Sequence, residues 1–134
     1  MKTGKNELEE TQKLLLQFEK RGGLLPVAVQ ETQTEQLLML ASVNQEALEI
    51  TLKTQKATFW STSKNEIWTK GLTSGNTLRI DEILVDCDQD AIVYKVTLEK
   101  GGVCHTYNEQ GKNRKACFYR KLDFNNHQLN FLEK

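Results

Sequence analysis

Between positions 91 and 99 every second side chain is large and apolar: Ile92, Tyr94, Val96 and Leu98. Alternation of this kind lines one face of a pleated strand, so the segment predicts a half-buried β-strand. Segments 57–61, 66–69, 77–85 and 116–121 read as further strands, which makes the second half of the chain β-rich. Ahead of them, 24–30 reads as a strand holding the single proline, Pro26, and that proline predicts an edge strand or a bulge. A polar turn at 31–35 leads to a strand at 37–41, and the two make a hairpin. Two helices complete the pattern. Segment 5–20 carries Leu8, Leu15 and Phe18 near helical spacing, with Lys20 and Arg21 at its carboxyl end and Gly22 and Gly23 as its stop. After Asn44, a good N-cap, Ala47, Leu48, Thr51 and Leu52 form one helical face. The fold class expected is α+β: a small, mostly antiparallel sheet with two short helices. It forms one domain over 1–134, with 1–21 as a helical packing arm and 122–134 as a variable tail.

Composition narrows the function classes. In 134 residues, 18 Lys and Arg balance 18 Asp and Glu, so a general nucleic-acid binder, which needs a basic excess, is not expected. No apolar run approaches the roughly 20 residues of a membrane span. The opening MKTGKNELEE is too charged for a secretory signal. Three cysteines cannot all pair within one chain. A reducing cytoplasm is the expectation, with cysteines serving as ligands or nucleophiles rather than staples.

Three segments carry chemistry. In Asp86-Cys87-Asp88-Gln89-Asp90 an extended chain would place the aspartates on one face, roughly 6.8 Å apart in sequence, with Cys87 opposite. Crowded carboxylates raise one another's pKa, and a hard cation such as Mg²⁺ would relieve them. A solvated acidic turn fits the same spacing equally well. An EF-hand does not, since Ala91 and Thr97 stand where its glycine and glutamate belong. Cys87, Cys104 and Cys117 supply three soft ligands, the number a catalytic zinc takes when one position stays open. Without a C-x-x-C, three buried cysteines acting as small hydrophobes explain the residues at least as well. Finally, Ser61-Thr62-Ser63-Lys64 and Lys70-Gly71-Leu72-Thr73-Ser74-Gly75-Asn76 offer the hydroxyls, glycine-freed N–H groups and lysines that a phosphate needs. They read as long polar turns too. No Walker loop, G-x-G-x-x-G, G-x-S-x-G or H-E-x-x-H occurs, and His127 sits in a polar stretch as a surface residue.

Taken in order, GGLLPVAVQ (22–30), LMLA (38–41), TFWS (58–61), W-x-K-G-x-T-S-G-N (68–76), DCDQD (86–90), CHT (104–106) and CFYR (117–120) resemble the phosphoribosyl-AMP cyclohydrolase family of histidine biosynthesis. The resemblance implies an intertwined α+β homodimer with its metal site at the interface. It implies one Zn²⁺ per subunit on Cys87, Cys104 and Cys117, one of them contributed across the interface, and Mg²⁺ on Asp86, Asp88 and Asp90. His105 is implied as acid/base or substrate contact. Ser61, Ser63, Lys64, Trp68, Lys70, Thr73, Ser74, Gly75 and Asn76 are implied as contacts to a nucleotide substrate. The implied reaction is hydrolytic opening of the C6–N1 bond of the adenine ring, by zinc-activated water attacking C6. A non-catalytic zinc-binding module with four ligands, or a related hydrolase for another nucleotide, are the competing readings. The chain departs from the family pattern in places. Its 107–116 link is longer and basic, Ser61-Thr62-Ser63-Lys64 stands where S-R-S-R is usual, and Ser42 and Val43 replace Y-M. The basic block at 112–121 is expected to meet a phosphorylated substrate.

Overall fold

The computed structural model describes residues 5–134, so residues 1–4 of the expected arm lie outside the described residues. Eight strands and two α-helices follow in the order α1 (Lys5–Glu9), β1 (Leu25–Glu31), β2 (Leu37–Val43), α2 (Gln45–Thr54), β3 (Thr58–Ser61), β4 (Glu66–Thr69), β5 (Leu78–Val85), β6 (Ile92–Leu98), β7 (Arg120–Leu122) and β8 (Leu129–Phe131). The first six strands form one sheet in the order β4-β3-β2-β1-β6-β5. Every neighbouring pair is antiparallel except β1 with β6. The α+β, mostly antiparallel expectation therefore holds.

The alternation in β6 works as read. Ile92, Tyr94 and Val96 are buried, and the intervening residues are half-exposed. On β1, Leu25, Val27 and Val29 are fully buried and pack with Leu38, Val43, Phe59, Leu78 and Tyr94. Asn44 caps α2 as expected, its Oδ1 accepting from the Ala47 N–H at 2.8 Å. Ala47, Leu48 and Thr51 lie buried against the sheet, whereas Leu52 is 55% exposed at the lip of a small apolar cavity with Leu14, Leu16 and Ile83.

Three expectations need correction. The helix over 5–20 ends at Glu9, and only a 3-10 turn at Glu19–Arg21 returns to helical geometry. The backbone that follows bonds to the distant Gln89, through both its side chain and its main chain, instead of continuing the helix. Gln89 Oε1 accepts from the Leu15 N–H at 2.6 Å, Gln89 Nε2 donates to the Leu8 and Lys13 carbonyls, and the Gln17 N–H reaches the Gln89 carbonyl. Pro26 sits neither at an edge strand nor at a bulge: β1 is interior. It is tolerated because pairing with β6 begins only at Val27, and the β1 bulge falls further on, at Val29/Gln30. The strand expected at 116–121 is shifted. Its first residues are irregular, and Arg120–Leu122 pairs with Leu129–Phe131 in a separate two-stranded hairpin built from the expected tail. His127, at φ 58°, closes the turn of that hairpin and is exposed.

Candidate functional site

The carboxyl end of β6 runs toward a cleft of about 370 Å³ lined by Met39, Ser61, Lys64, Glu66, Trp68, Lys70, Val103, His105 and Cys117. The β3–β4 hairpin supplies one wall. In its turn Ser61 Oγ and Ser63 Oγ are 3.3 Å apart, and Ser61 Oγ accepts from the Lys64 N–H. Trp68 is braced by Phe59, ring centroids 5.0 Å apart, and Lys70 Nζ stands 5.9 Å from the Trp68 ring centroid. Burial lowers the Lys70 pKa below the ordinary lysine value, opposed by the thiols of Cys117 and Cys104. A desolvated ammonium beside thiols, in a cleft with an exposed histidine, is suited to an anionic ligand.

Val103 and Cys117 line the other side, and Cys104 lies buried beside Cys117. Cys104 is 5% exposed, with Thr106 Oγ1 at 3.0 Å from its Sγ and the Thr106 N–H donating to the same sulfur. Burial alone would raise this thiol. The Thr106 bonds, the Cys117 side chain and the Arg114 charge outweigh burial, and Cys104 ends below the ordinary value. Cys117 ends above it, first through burial and then through the neighbouring Cys104. The Cys117 N–H donates to the Leu38 carbonyl at 2.7 Å, which anchors Cys117 on β2.

Cys87 is not with them. It is exposed in the β5–β6 turn, at the opposite end of β6, a strand of on the order of 20 Å. Among the described residues, no cluster of three thiols forms within one chain.

The aspartates do converge, by a route the sequence reading missed. Residues 86–90 form a turn, not an extended strand: Asp86 Oδ1 accepts from the N–H groups of Asp90 and Ala91, and Gln89 adopts φ 56°. Carboxylate oxygens of Asp86, Asp88 and Asp90 all lie within 4.8 Å of one another. Lys20 Nζ sits 3.2 Å from Asp88 and 2.7 Å from Asp90, and Arg21 reaches Asp90 at 3.2 Å. Lys20 above all holds the Asp90 carboxyl far below the usual range, while burial pushes Asp86 up. Asp81, the bulge residue of β5, is bonded to Thr32, Thr97 and Arg79 and stands apart from the cluster.

Of the residues expected to meet substrate, Ser61, Lys64, Trp68 and Lys70 line the cleft with His105. Ser63 lies on the adjoining groove beside Trp60. Thr73, Ser74 and Gly75 do not line the cleft, and the Asn76 amide is turned onto Asn113 at 3.1 Å. Gly71 has a local role: its φ is 77°, and a Cβ there would collide with the backbone of Asn76 and Thr77. In the basic block, Arg114 lies over the Tyr119 ring at 4.2 Å and Lys115 pairs with Glu31 at 2.6 Å, while Lys112, Arg120 and Lys121 are exposed. Glu66 and Val103 on the cleft, and Lys20 and Arg21 at the aspartates, belong to no site signal in the sequence, and Met39 enters only within the LMLA stretch. The sequence places the two cations only at a helix end, because nothing local links them to a turn about 70 positions away. Among the described residues, no helix is long and apolar enough to cross a membrane.

A family model described as phosphoribosyl-AMP cyclohydrolase matches residues 39–119. A protein of that name from Desulfatibacillum aliphaticivorans is 48% identical over 108 residues, spanning 81% of this chain and 82% of the relative. Proteins of the same name from Archaeoglobus fulgidus (48% over 108 residues, 81% of this chain, 93% of the relative) and Nitrosopumilus maritimus (49% over 107 residues, 80% and 93%) align similarly.

Proposed function

The chain belongs to the phosphoribosyl-AMP cyclohydrolase family of hydrolases, which act on a cyclic C–N bond, and on that premise we propose that it opens the adenine ring of phosphoribosyl-AMP in cytoplasmic histidine biosynthesis. The observation that carries this reading is one cleft holding a thiol backed by a second, buried one, with a histidine, two lysines and an aromatic face. A non-catalytic zinc module would have no use for the lysines and tryptophan beside its thiols.

The donor set suits zinc. The Cys104 thiol is held below its ordinary pKa by its Thr106 bonds, Cys117 adjoins it, and thiolates are the ligands zinc prefers. In this reading Cys87 completes the set from a second copy, because its own chain holds it at the far end of β6. The working unit is therefore a homodimer with its metal site at the interface. Zinc held there would supply the Lewis acidity that lets water attack near neutral pH. Lys64 and Lys70 hold substrate phosphate, with the Ser61 and Ser63 hydroxyls assisting. Trp68 offers a ring face for the base. His105, exposed on the cleft rim, moves the proton: it takes one from the attacking water or gives one to N1 as the C6–N1 bond breaks. The Asp86, Asp88 and Asp90 oxygens suit a hard cation such as Mg²⁺, which must displace the Lys20 ammonium to bind.

The test is turnover of phosphoribosyl-AMP, followed by absorbance, together with zinc content. Wild type turns over. Cys104→Ala loses both zinc and turnover while keeping its far-UV circular dichroism. Full turnover by zinc-free protein would contradict the zinc assignment.

A further inference from the structure

The segment joining Cys104 to Cys117 folds back on itself. The Val103 N–H donates to the Lys115 carbonyl, the Cys104 N–H to the Arg114 carbonyl, and the Arg114 N–H to the Thr106 carbonyl. A tight turn at 108–112 closes it, with the Asn108 N–H on the Lys112 carbonyl and Gly111 at φ 76°. Cys104 thus rides on the outgoing limb, and Cys117 follows directly after the returning one. Such a short two-stranded unit is marginal in water unless something covers or ties it.

The tie is the carboxyl-terminal hairpin. Glu133 Oε1 accepts from the Lys115 N–H at 2.9 Å, and Glu133 Oε2 accepts from Asn108 Nδ2 at 3.1 Å. One carboxylate therefore bridges both limbs. Its backbone carbonyl takes Arg114 Nε at 2.9 Å, and the Arg114 guanidinium lies over Tyr119 at 4.2 Å and Phe131 at 5.3 Å. On the inner side, Asn113 Nδ2 donates to the Cys104 carbonyl at 3.1 Å, and a Cβ on Gly102 would collide with the carbonyls of Asn113 and Arg114. Contacts therefore run without a gap from Glu133 through Lys115, Arg114 and Asn113 to Cys104.

We propose that Glu133 is a positioning residue for the Cys104–Cys117 pair: by clamping both limbs of the 103–117 segment it sets the separation of the two thiols. The proposal rests on the reading of those thiols as metal ligands. A carboxylate matters here because both of its oxygens accept. Glutamine keeps one of the two bonds and turns the other into an N–H facing an N–H.

The experiment compares Glu133→Ala and Glu133→Gln with wild type by Zn²⁺ competition against a chromophoric chelator and by the thiolate-to-metal absorption of the Co²⁺ forms. Thermal unfolding is followed alongside. Glu133→Ala should weaken zinc about 10-fold and change the cobalt spectrum, with Glu133→Gln intermediate. Wild-type affinity and spectrum in Glu133→Ala would overturn the proposal. Should Glu133→Ala fail to fold, Glu133→Gln decides by the same criteria. A metal-free arm uses a thiol-bridging bimane reagent in a Cys87→Ala background, where Glu133→Gln should slow bridging of Cys104 to Cys117; an unchanged rate overturns the proposal. If wild type and Cys104→Ala hold equal zinc, the ligand reading fails instead, and the bimane arm still tests the clamp.

Discussion

Thr51→Val tests how the helix is fastened to the sheet beneath the cleft. Thr51 is 1% exposed, and its hydroxyl serves three partners. It donates to the Ala47 carbonyl at 2.9 Å and accepts from the Thr58 N–H at 3.0 Å and the Tyr94 hydroxyl at 3.2 Å. Valine fills nearly the same volume and accepts nothing. The buried Thr58 N–H is then orphaned, at about 1–3 kcal/mol. The Tyr94 hydroxyl retains a longer contact to the Thr58 carbonyl at 3.4 Å, so its loss is smaller. The sum is about 2–3 kcal/mol, and at roughly 4 °C per kcal/mol the melting temperature should fall by about 8–12 °C. Tyr94→Phe leaves Thr51 bonded to Thr58 and should cost only about 0.5–1.5 kcal/mol. In the Thr51→Val background it should cost less, a coupling of about 0.5–1 kcal/mol, because the hydroxyl it removes is already short of a partner. The assay is urea unfolding at one protein and zinc concentration, since association and metal binding both shift apparent stability. A Thr51→Val protein within about 0.5 kcal/mol of wild type, or a strictly additive cycle, would refute the network.

Other perturbations probe the site itself. His105→Ala should lower kcat by about 10²–10⁴-fold with little change in stability, and an unchanged kcat would remove His105 from proton transfer. Asp90 has a folded pKa depressed chiefly by Lys20, so its stabilisation is present above the unfolded value of about 4 and is lost as pH falls through the folded one. Because Lys20 and Arg21 are about half exposed, the effect is of order 1 kcal/mol; Asp90→Asn should flatten the stability profile below about pH 4, and an unaltered acid limb would count against the ion pairs. Gly71→Ala should cost more than about 1 kcal/mol from its positive φ and the collision with Asn76, read from the urea midpoint, and a neutral result would contradict that geometry.

Sequence reasoning succeeded where structure is local. The β6 alternation and the Asn44 cap each depend on neighbours within a few positions, and both appear where expected. It failed where a distant group wins. Segment 10–18 had the spacing of a helix, but Gln89 offers its backbone better-placed partners than another helical turn would. Pro26 reads as an edge signal only if pairing on both sides starts at the same residue, and here it does not. Aspartates at every second position were read as a strand face, yet they meet through a turn closed by Asp86 Oδ1. The charge of the basic link is legible in the sequence, but the contacts of Arg114 with Tyr119 and of Lys115 with Glu31 are ones no local pattern announces.

The central claim is that one active site needs thiols from two copies of this chain. Subunit complementation tests it most directly. Cys87→Ala and Cys104→Ala, each expected to be inactive alone, are unfolded together, refolded with zinc and assayed on phosphoribosyl-AMP. A mixed dimer has one complete ligand set and one lacking two thiols, so random assortment should restore roughly a quarter of wild-type turnover. No recovery, with mixed dimers demonstrably formed, would contradict a site shared between subunits.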